Sequence, residues 1–193
     1  EIASGDWSSD VCSSDLIRNN DKIGVLFFSD HVEKFIPPAK GKGHILRIIR
    51  ELLTIRPTGK RTDIGGALEY FMRVMRRQSV VFLLSDFVDD KDYNRPLAMA
   101  RGRHDVVALQ VYDRRMGTLP DVGLMKWEDA ETGHQQYVDT SSPAVRKAYA
   151  EHWQQRMNSL RNLLNRNRVD HVSINTTGDY IQSLKALFAK RAR

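Results

Sequence analysis

The chain of 193 residues is 41% hydrophobic and 28% charged, with 30 lysines and arginines against 24 acidic residues and a net charge of +6. That length suits one domain with a real core, and 6 prolines with 12 glycines exclude collagen-like and linker compositions. No apolar run approaches the ~20 residues of a membrane span, so no transmembrane segment is expected. A single cysteine excludes a disulfide framework and a cysteine-rich zinc site. These features describe a soluble globular protein of a reducing, cytoplasmic compartment.

At the N-terminus, Asp6 to Leu16 (DWSSDVCSSDL) is polar, serine-rich and without helical or strand period. It lacks the basic and apolar regions of a signal peptide. The string resembles the conceptual translation of a common sequencing adapter, so residues 1–16 are expected to be an artefactual or disordered segment. A domain over 17–193 should follow. Without the three aspartates of the string the net charge rises to +9.

In chain order, Lys22 to Ser29 is a continuous apolar run and predicts a buried strand. Asp30-His31 turns into a short strand, Val32 to Ile36, closed by Pro37-Pro38 as at a sheet edge. His44 to Ile55 spaces Ile45, Leu46, Ile48, Ile49, Leu52 and Leu53 for a helix face. A loop, Arg56 to Arg61, leads to a second helix capped by Thr62 or Asp63, with Ile64, Leu68, Phe71 and Val74 or Met75 inward. Ser79 to Leu84 reads as the most buried strand and runs into Ser85-Asp86. Tyr93 to Gly102 predicts a short helix, and Asp105 to Tyr112 another buried strand. Gly123 to Glu128 and Gln135 to Asp139 form a peripheral hairpin around Ala130-Glu131-Thr132-Gly133. A long helix from Pro143 to Asn165, with Ser142 as cap, a strand Val169 to Ile174 and a helix Asp179 to Arg191 complete the chain. Strands alternating with helices indicate an α/β fold, a parallel sheet with helices on both faces.

Catalytic motifs fail one by one. Pro57-Thr58-Gly59-Lys60-Arg61-Thr62 resembles a phosphate loop, but Thr54 stands where its first glycine belongs and Arg61 where Ser or Thr should follow the lysine. There is no dinucleotide fingerprint, no His-Glu-x-x-His and no nucleophile elbow. Asp89-Asp90 with Asp92 reads as a solvated loop and helix cap. Asn175-Thr176-Thr177 has the letters of a glycosylation acceptor but no secretory context. Cations line helix exteriors without the interleaved aromatics that base stacking requires, so no nucleic acid partner is expected. No catalytic residue and no organic cofactor is assigned, and the chain is not expected to be an enzyme.

In parallel sheets, ligands bind beyond the carboxyl ends of the strands. Asp86 ends one predicted strand and Thr62 precedes a helix, and a carboxylate with a hydroxyl are hard oxygen ligands suited to magnesium. Alone that signal is weak, since threonine before aspartate is a helix cap more often than a ligand.

KIGVLFFSD, RTDIGGALEY and SVVFLLSDF, in that order, resemble a von Willebrand factor type A-like domain. NNDKIG, HILRIIRELL, ARGRHDVVALQVYD, LPDVGL and WEDAETG are similar to the bacterial domain-of-unknown-function family fifty-eight. The resemblance runs from Ile17 to Arg193. It implies a Rossmann-like parallel sheet and a metal-ion-dependent adhesion site, in which Thr62 matches the threonine and Asp86 the later aspartate. The Asp-x-Ser-x-Ser loop that should accompany them is missing. By resemblance its strand is the first of the fold and lies centrally, between those beginning at Lys22 and Ser79. The chain is therefore expected to be a C-terminal portion, with magnesium possible in the complete protein and none in this fragment. The resemblance further implies a non-enzymatic interaction module, partner or adaptor of a MoxR-type AAA+ ATPase in assembling protein complexes. The alternative is a basic protein associating with a membrane surface or nucleic acid.

Overall fold

The computed structural model describes residues 21–129 and 133–191. The expectations for residues 1–16 and for the tip of the hairpin at 130–132 lie outside the described residues. Among the described residues thirteen elements follow one another: β1 (Ile23–Phe28), β2 (Val32–Ala39), α1 (Lys42–Thr54), α2 (Ile64–Val74), β3 (Val80–Ser85), α3 (Asn94–Arg103), β4 (Asp105–Tyr112), a 3-10 turn (Arg114–Gly117), β5 (Leu124–Glu128), β6 (Gln135–Asp139), α4 (Pro143–Arg166), β7 (Asp170–Asn175) and α5 (Tyr180–Arg191). The fold is mixed α/β, with a three-stranded parallel sheet ordered β3-β4-β7 between helices.

β4 is the middle strand. It pairs with β3 from Val80↔Asp105 to Ser85↔Gln110, and with β7 from Val107↔Asp170 to Tyr112↔Asn175. Both faces are covered, as its unbroken apolar run requires. Val106 and Ala108 join Ile64, Leu68, Met72, Leu97, Ala100, Leu160 and Leu164 in the larger core, while Val107 and Leu109 meet Leu187 of α5. Arg191 locks α5 in place by pairing with Asp105 and Asp170, where β4 and β7 begin.

β3 departs from expectation. Leu83 is buried, but Val80, Phe82 and Leu84 on the opposite face are 59%, 42% and 58% exposed. An apolar run marks a strand that can be buried on both faces; here only one is covered. Phe188 of α5 reaches Phe82 edge-on, with ring centroids 6.1 Å apart, and the rest of the face is open. Among the described residues β3 also has no partner on its outer side. β1 and β2 form a separate antiparallel ribbon. The helix face expected over 44–55 shows the same lack of cover. Ile48 is buried, but Leu46, Leu52 and Leu53 are 54%, 62% and 79% exposed.

The prolines do not close β2, which runs through Pro37-Pro38 to Ala39. A register shift opposite Gly24 accommodates them. A Cβ on Gly24 would lie 2.8 Å from both the Ile36 carbonyl oxygen and the Pro38 nitrogen, so only glycine lets the strands approach there. Ser142 precedes α4 but its side chain caps nothing. Instead, the Arg146 guanidinium donates to the carbonyls of Thr140 and Ser141. The hairpin is peripheral, as expected, and is anchored by the fully buried Thr140, whose hydroxyl donates to the Gly123 carbonyl at 2.7 Å and accepts from the Val122 amide at 3.1 Å.

His104 is buried at the start of β4 with neither ring nitrogen hydrogen-bonded. Its ring meets Phe71 at 4.8 Å between centroids, and burial pushes its pKa down, which keeps the imidazole neutral. Leu97, at 0% exposure, is the sharper probe of the core. Leu97→Ala should lower unfolding free energy by about 2–5 kcal/mol, measured by denaturant titration; a loss under about 1 kcal/mol would show that the α3 seam is not packed as described.

Candidate functional site

The carboxyl ends of β1 and β3 carry most of the polar chemistry that the fold brings together. β1 runs into the bend Ser29-Asp30-His31, and β2 brings Glu33 back beside it. Glu33, with a side chain 9% exposed, accepts from the amides of Thr58 and Gly59 at 2.9 Å each, from the Thr58 hydroxyl at 2.9 Å and from the Ser29 hydroxyl at 2.6 Å. The Gly59 amide is the foremost of several donors that hold its carboxyl down to about 2. His31 stands between two carboxylates, 2.6 Å from Asp30 through Nδ1 and 3.4 Å from Glu33 through Nε2. The hydrogen bond to Asp30 raises the histidine pKa and, reciprocally, lowers that of Asp30.

This clasp fixes the loop that leads to Thr62. Gly59 lets the loop come this close, because a Cβ there would crowd the Ser29 side chain, its Cβ at 2.8 Å, and the Asp30 carboxylate, which would have to shift. It also explains why the 57–62 segment is no phosphate loop. The amides that would cradle an anion are already turned to Glu33.

The loop then docks through backbone. The Asp63 amide donates to the Ser29 carbonyl at 2.8 Å. Asp63, not Thr62, caps α2: its Oδ1 accepts from the Gly66 amide at 2.7 Å while Oδ2 pairs with Lys91. From the β3 side, Asp89 accepts from the Ile64 amide and from the Lys91 amide, at 2.8 Å each. Asp89 is thus a fastener between two loops rather than the solvated residue its sequence suggested.

Thr62 is half-buried immediately before that cap. Asp86 is exposed at the end of β3, and its Oδ1 accepts from the Val88 amide at 3.0 Å in a local turn. The turn holds Phe87 at φ 58, a left-handed conformation that costs an aromatic residue about 1–3 kcal/mol, offset by burial of its ring in the core. Asp63, Asp89 and Lys91 join the two loops; no bond joins Thr62 to Asp86 directly among the described residues.

Among the described residues, Thr62 and Asp86 do not by themselves fit a magnesium ion. Thr62 and Asp86 offer at most two protein oxygens, one carboxylate oxygen of Asp86 is engaged, and the carboxylates of Asp63 and Asp89 are committed to amides and Lys91. Magnesium demands near-octahedral oxygen coordination and dehydrates reluctantly. Among the described residues no group of three or more His, Cys, Asp or Glu is arranged to hold a metal.

Sequence reasoning took Asp30-His31 for a simple turn and missed the clasp. Its only local signal is the pattern Ser29-Asp30-His31-x-Glu33, a carboxylate set into an apolar strand; the partners at 58 and 59 are remote in sequence.

A mixed α/β sheet whose carboxyl-end loops are fastened in this way defines the structural class, and comparison with known proteins places the chain within it. The chain belongs to the family described as "Protein of unknown function DUF58", which it matches over residues 11–159. Uncharacterized protein Rv1480 of Mycobacterium tuberculosis is 32% identical over 114 residues, 58% of this chain and 36% of that protein. Uncharacterized protein MAV169 of Mycobacterium avium is 34% identical over 100 residues, 51% of this chain and 59% of that protein. The chain thus spans about a third of the length of the first relative. Two solved structures share the fold: BatB from Bacteroides thetaiotaomicron, TM-score 0.54, 16% identical, covering 93% of this chain and 84% of that one; and an aerotolerance-related membrane protein from Bacteroides fragilis, TM-score 0.56, 14% identical, covering 92% and 85%.

Two measurements test the site. Glu33 has a depressed folded pKa, so its contribution is present above pH 4.5 and is lost as pH falls toward 2. Glu33→Gln should lower the melting temperature at neutral pH and flatten its dependence across that window; an unchanged acid profile would remove the clasp. Calorimetric titration of the chain with magnesium should show binding on the order of millimolar or weaker, and a micromolar site abolished by Asp86→Ala would overturn the coordination argument.

Proposed function

We propose that the chain is a non-enzymatic protein-interaction module that serves as partner or adaptor of a MoxR-type AAA+ ATPase in assembling protein complexes. The observation that supports it is how the carboxylates at the strand ends are used. Glu33, Asp63 and Asp89 are each committed to backbone amides or to a fixed ion pair. General acid–base or nucleophilic chemistry needs groups held ready for a substrate proton or bond; here they shape loops instead. Loops fixed in this way present a constant surface, which is what a docking module requires. A metal-ion-dependent adhesion-type site belongs to this reading only for the complete protein, with Thr62 and Asp86 as its share from this chain.

A cytoplasmic setting accords with that partner, because AAA+ ATPases draw on cytoplasmic ATP. A membrane-associated setting has its own support: one fold neighbour is named as an aerotolerance-related membrane protein. Among the described residues no helix is long and apolar enough to cross a membrane.

The test is direct binding. The purified chain, titrated against a purified MoxR-type ATPase from the same genome, should bind with micromolar affinity and change the rate of ATP hydrolysis, with no hydrolytic activity of its own. Absence of binding, or turnover of ester, phosphoester or peptide substrates that Asp86→Asn abolishes, would sink the proposal.

A further inference from the structure

The sheet does not explain the outer surface of the α2–α3 pair. These helices lead into the adjacent parallel strands β3 and β4, so they lie side by side in the same sense. Between them runs a groove of about 680 Å³ edged by Arg73, Arg76, Arg95 and Arg103. Met72 forms its floor, and Met99, 50% exposed, stands on its rim. All four arginines are exposed. None pairs with a carboxylate, although Glu69 lies in the same groove; the salt bridges of arginine among the described residues use Arg115, Arg146 and Arg191. Arg73 only overlies the ring of Tyr70, at 5.7 Å.

The ordinary explanation is the helix dipole, which favours cations near C-terminal ends. It accounts for Arg73, Arg76 and Arg103. It does not account for Arg95, which sits in the first turn of α3, where the dipole disfavours a cation. Beyond the dipole and the Tyr70 ring, the four guanidinium groups around the exposed thioether have no acidic partner within the described fold. They do match one kind of ligand surface: carboxylates for the planar, bidentate guanidinium forks, and an apolar side chain for the adaptable methionine strip. Nucleic acid is a poorer match, since no aromatic ring lines the groove to stack a base.

We infer that the α2–α3 groove docks an acidic amphipathic helix of a partner protein, with Glu or Asp on its flanks and bulky apolar residues toward Met72 and Met99. α3 has 10 residues, so about 15 Å of helix, nearly three turns, can lie along it. The inference rests on the interaction-module reading and names the surface and chemistry that reading would use.

The experiment is selection from a random helical-peptide display library on the immobilised 193-residue chain, followed by fluorescence anisotropy with the most enriched peptide. Acidic sequences with apolar residues at i, i+3 or i+4 should be enriched. Their affinity should fall at least tenfold in Arg95→Glu/Arg103→Glu, severalfold in Met99→Ala and steeply with salt, while Lys147→Glu on α4 leaves it unchanged. Every substituted residue is exposed, and matching melting curves confirm folding. No enrichment, enrichment of neutral or basic peptides, or equal loss in Lys147→Glu would overturn the inference. So would tighter, Arg95-dependent binding of a single-stranded oligonucleotide or of phosphatidylserine vesicles. If Arg95→Glu/Arg103→Glu binds a MoxR-type ATPase as the parent does, the groove inference fails and the module stands. If the acidic peptides bind in the groove but the ATPase does not bind at all, the groove stands and that partner falls.

Discussion

The parallel sheet and the helices packed on it are hung on β4. Its two edges are both occupied by parallel ladders and its two faces by separate apolar clusters. Each large aliphatic side chain buried there contributes about 1.5–3 kcal/mol, so the strand cannot slip by one residue without turning Val107 and Leu109 onto the wrong helices. Because β3 and β7 take their register from it, their carboxyl ends open on the same side of the sheet. Gln110, the one polar residue buried within the strand, holds its place by accepting from the Ser173 hydroxyl of β7 at 2.8 Å.

Polar residues then divide the surface. At the carboxyl ends, acids are consumed in fastening loops to one another, and even the strained turn at Phe87 is held by the side chains of Ser85 and Asp86. On the α2–α3 side, basic groups stand without acidic partners. The first arrangement makes the loops rigid, and the second leaves charge available to another molecule.

What the sequence made legible follows from the range of the interactions involved. The helices and β4 announce themselves through periodicity and apolar runs, which are local. The open face of β3 was not legible, because SVVFLL states what the strand can tolerate and not what covers it. Pro37-Pro38 misled for a related reason: proline forbids a ladder hydrogen bond only where one is needed, and at a register shift opposite Gly24 none is. The choice of Asp63 over Thr62 as cap and the failure of Ser142 to cap at all depend on backbone geometry at one residue. The clasp on Glu33 joins residues 25 and 26 positions apart, beyond what spacing reveals.

The separation of the β1–β2 ribbon from the parallel sheet has a consequence for how the chain opens. β1, β2 and α1 interact largely with residues close in sequence, whereas the three parallel strands are paired only across long crossovers. Local ribbons form quickly and open cheaply; non-local parallel ladders form slowly and open with the whole core. Amide hydrogens of β1 and β2 should therefore trade with solvent through a small, early fluctuation, and those of β4 only through global unfolding. Between these two cooperative units the Ser29–Asp63 backbone bond and the Glu33 clasp act as the hinge pin, so the segment that carries Thr62 moves with the ribbon at one end and with the core at the other.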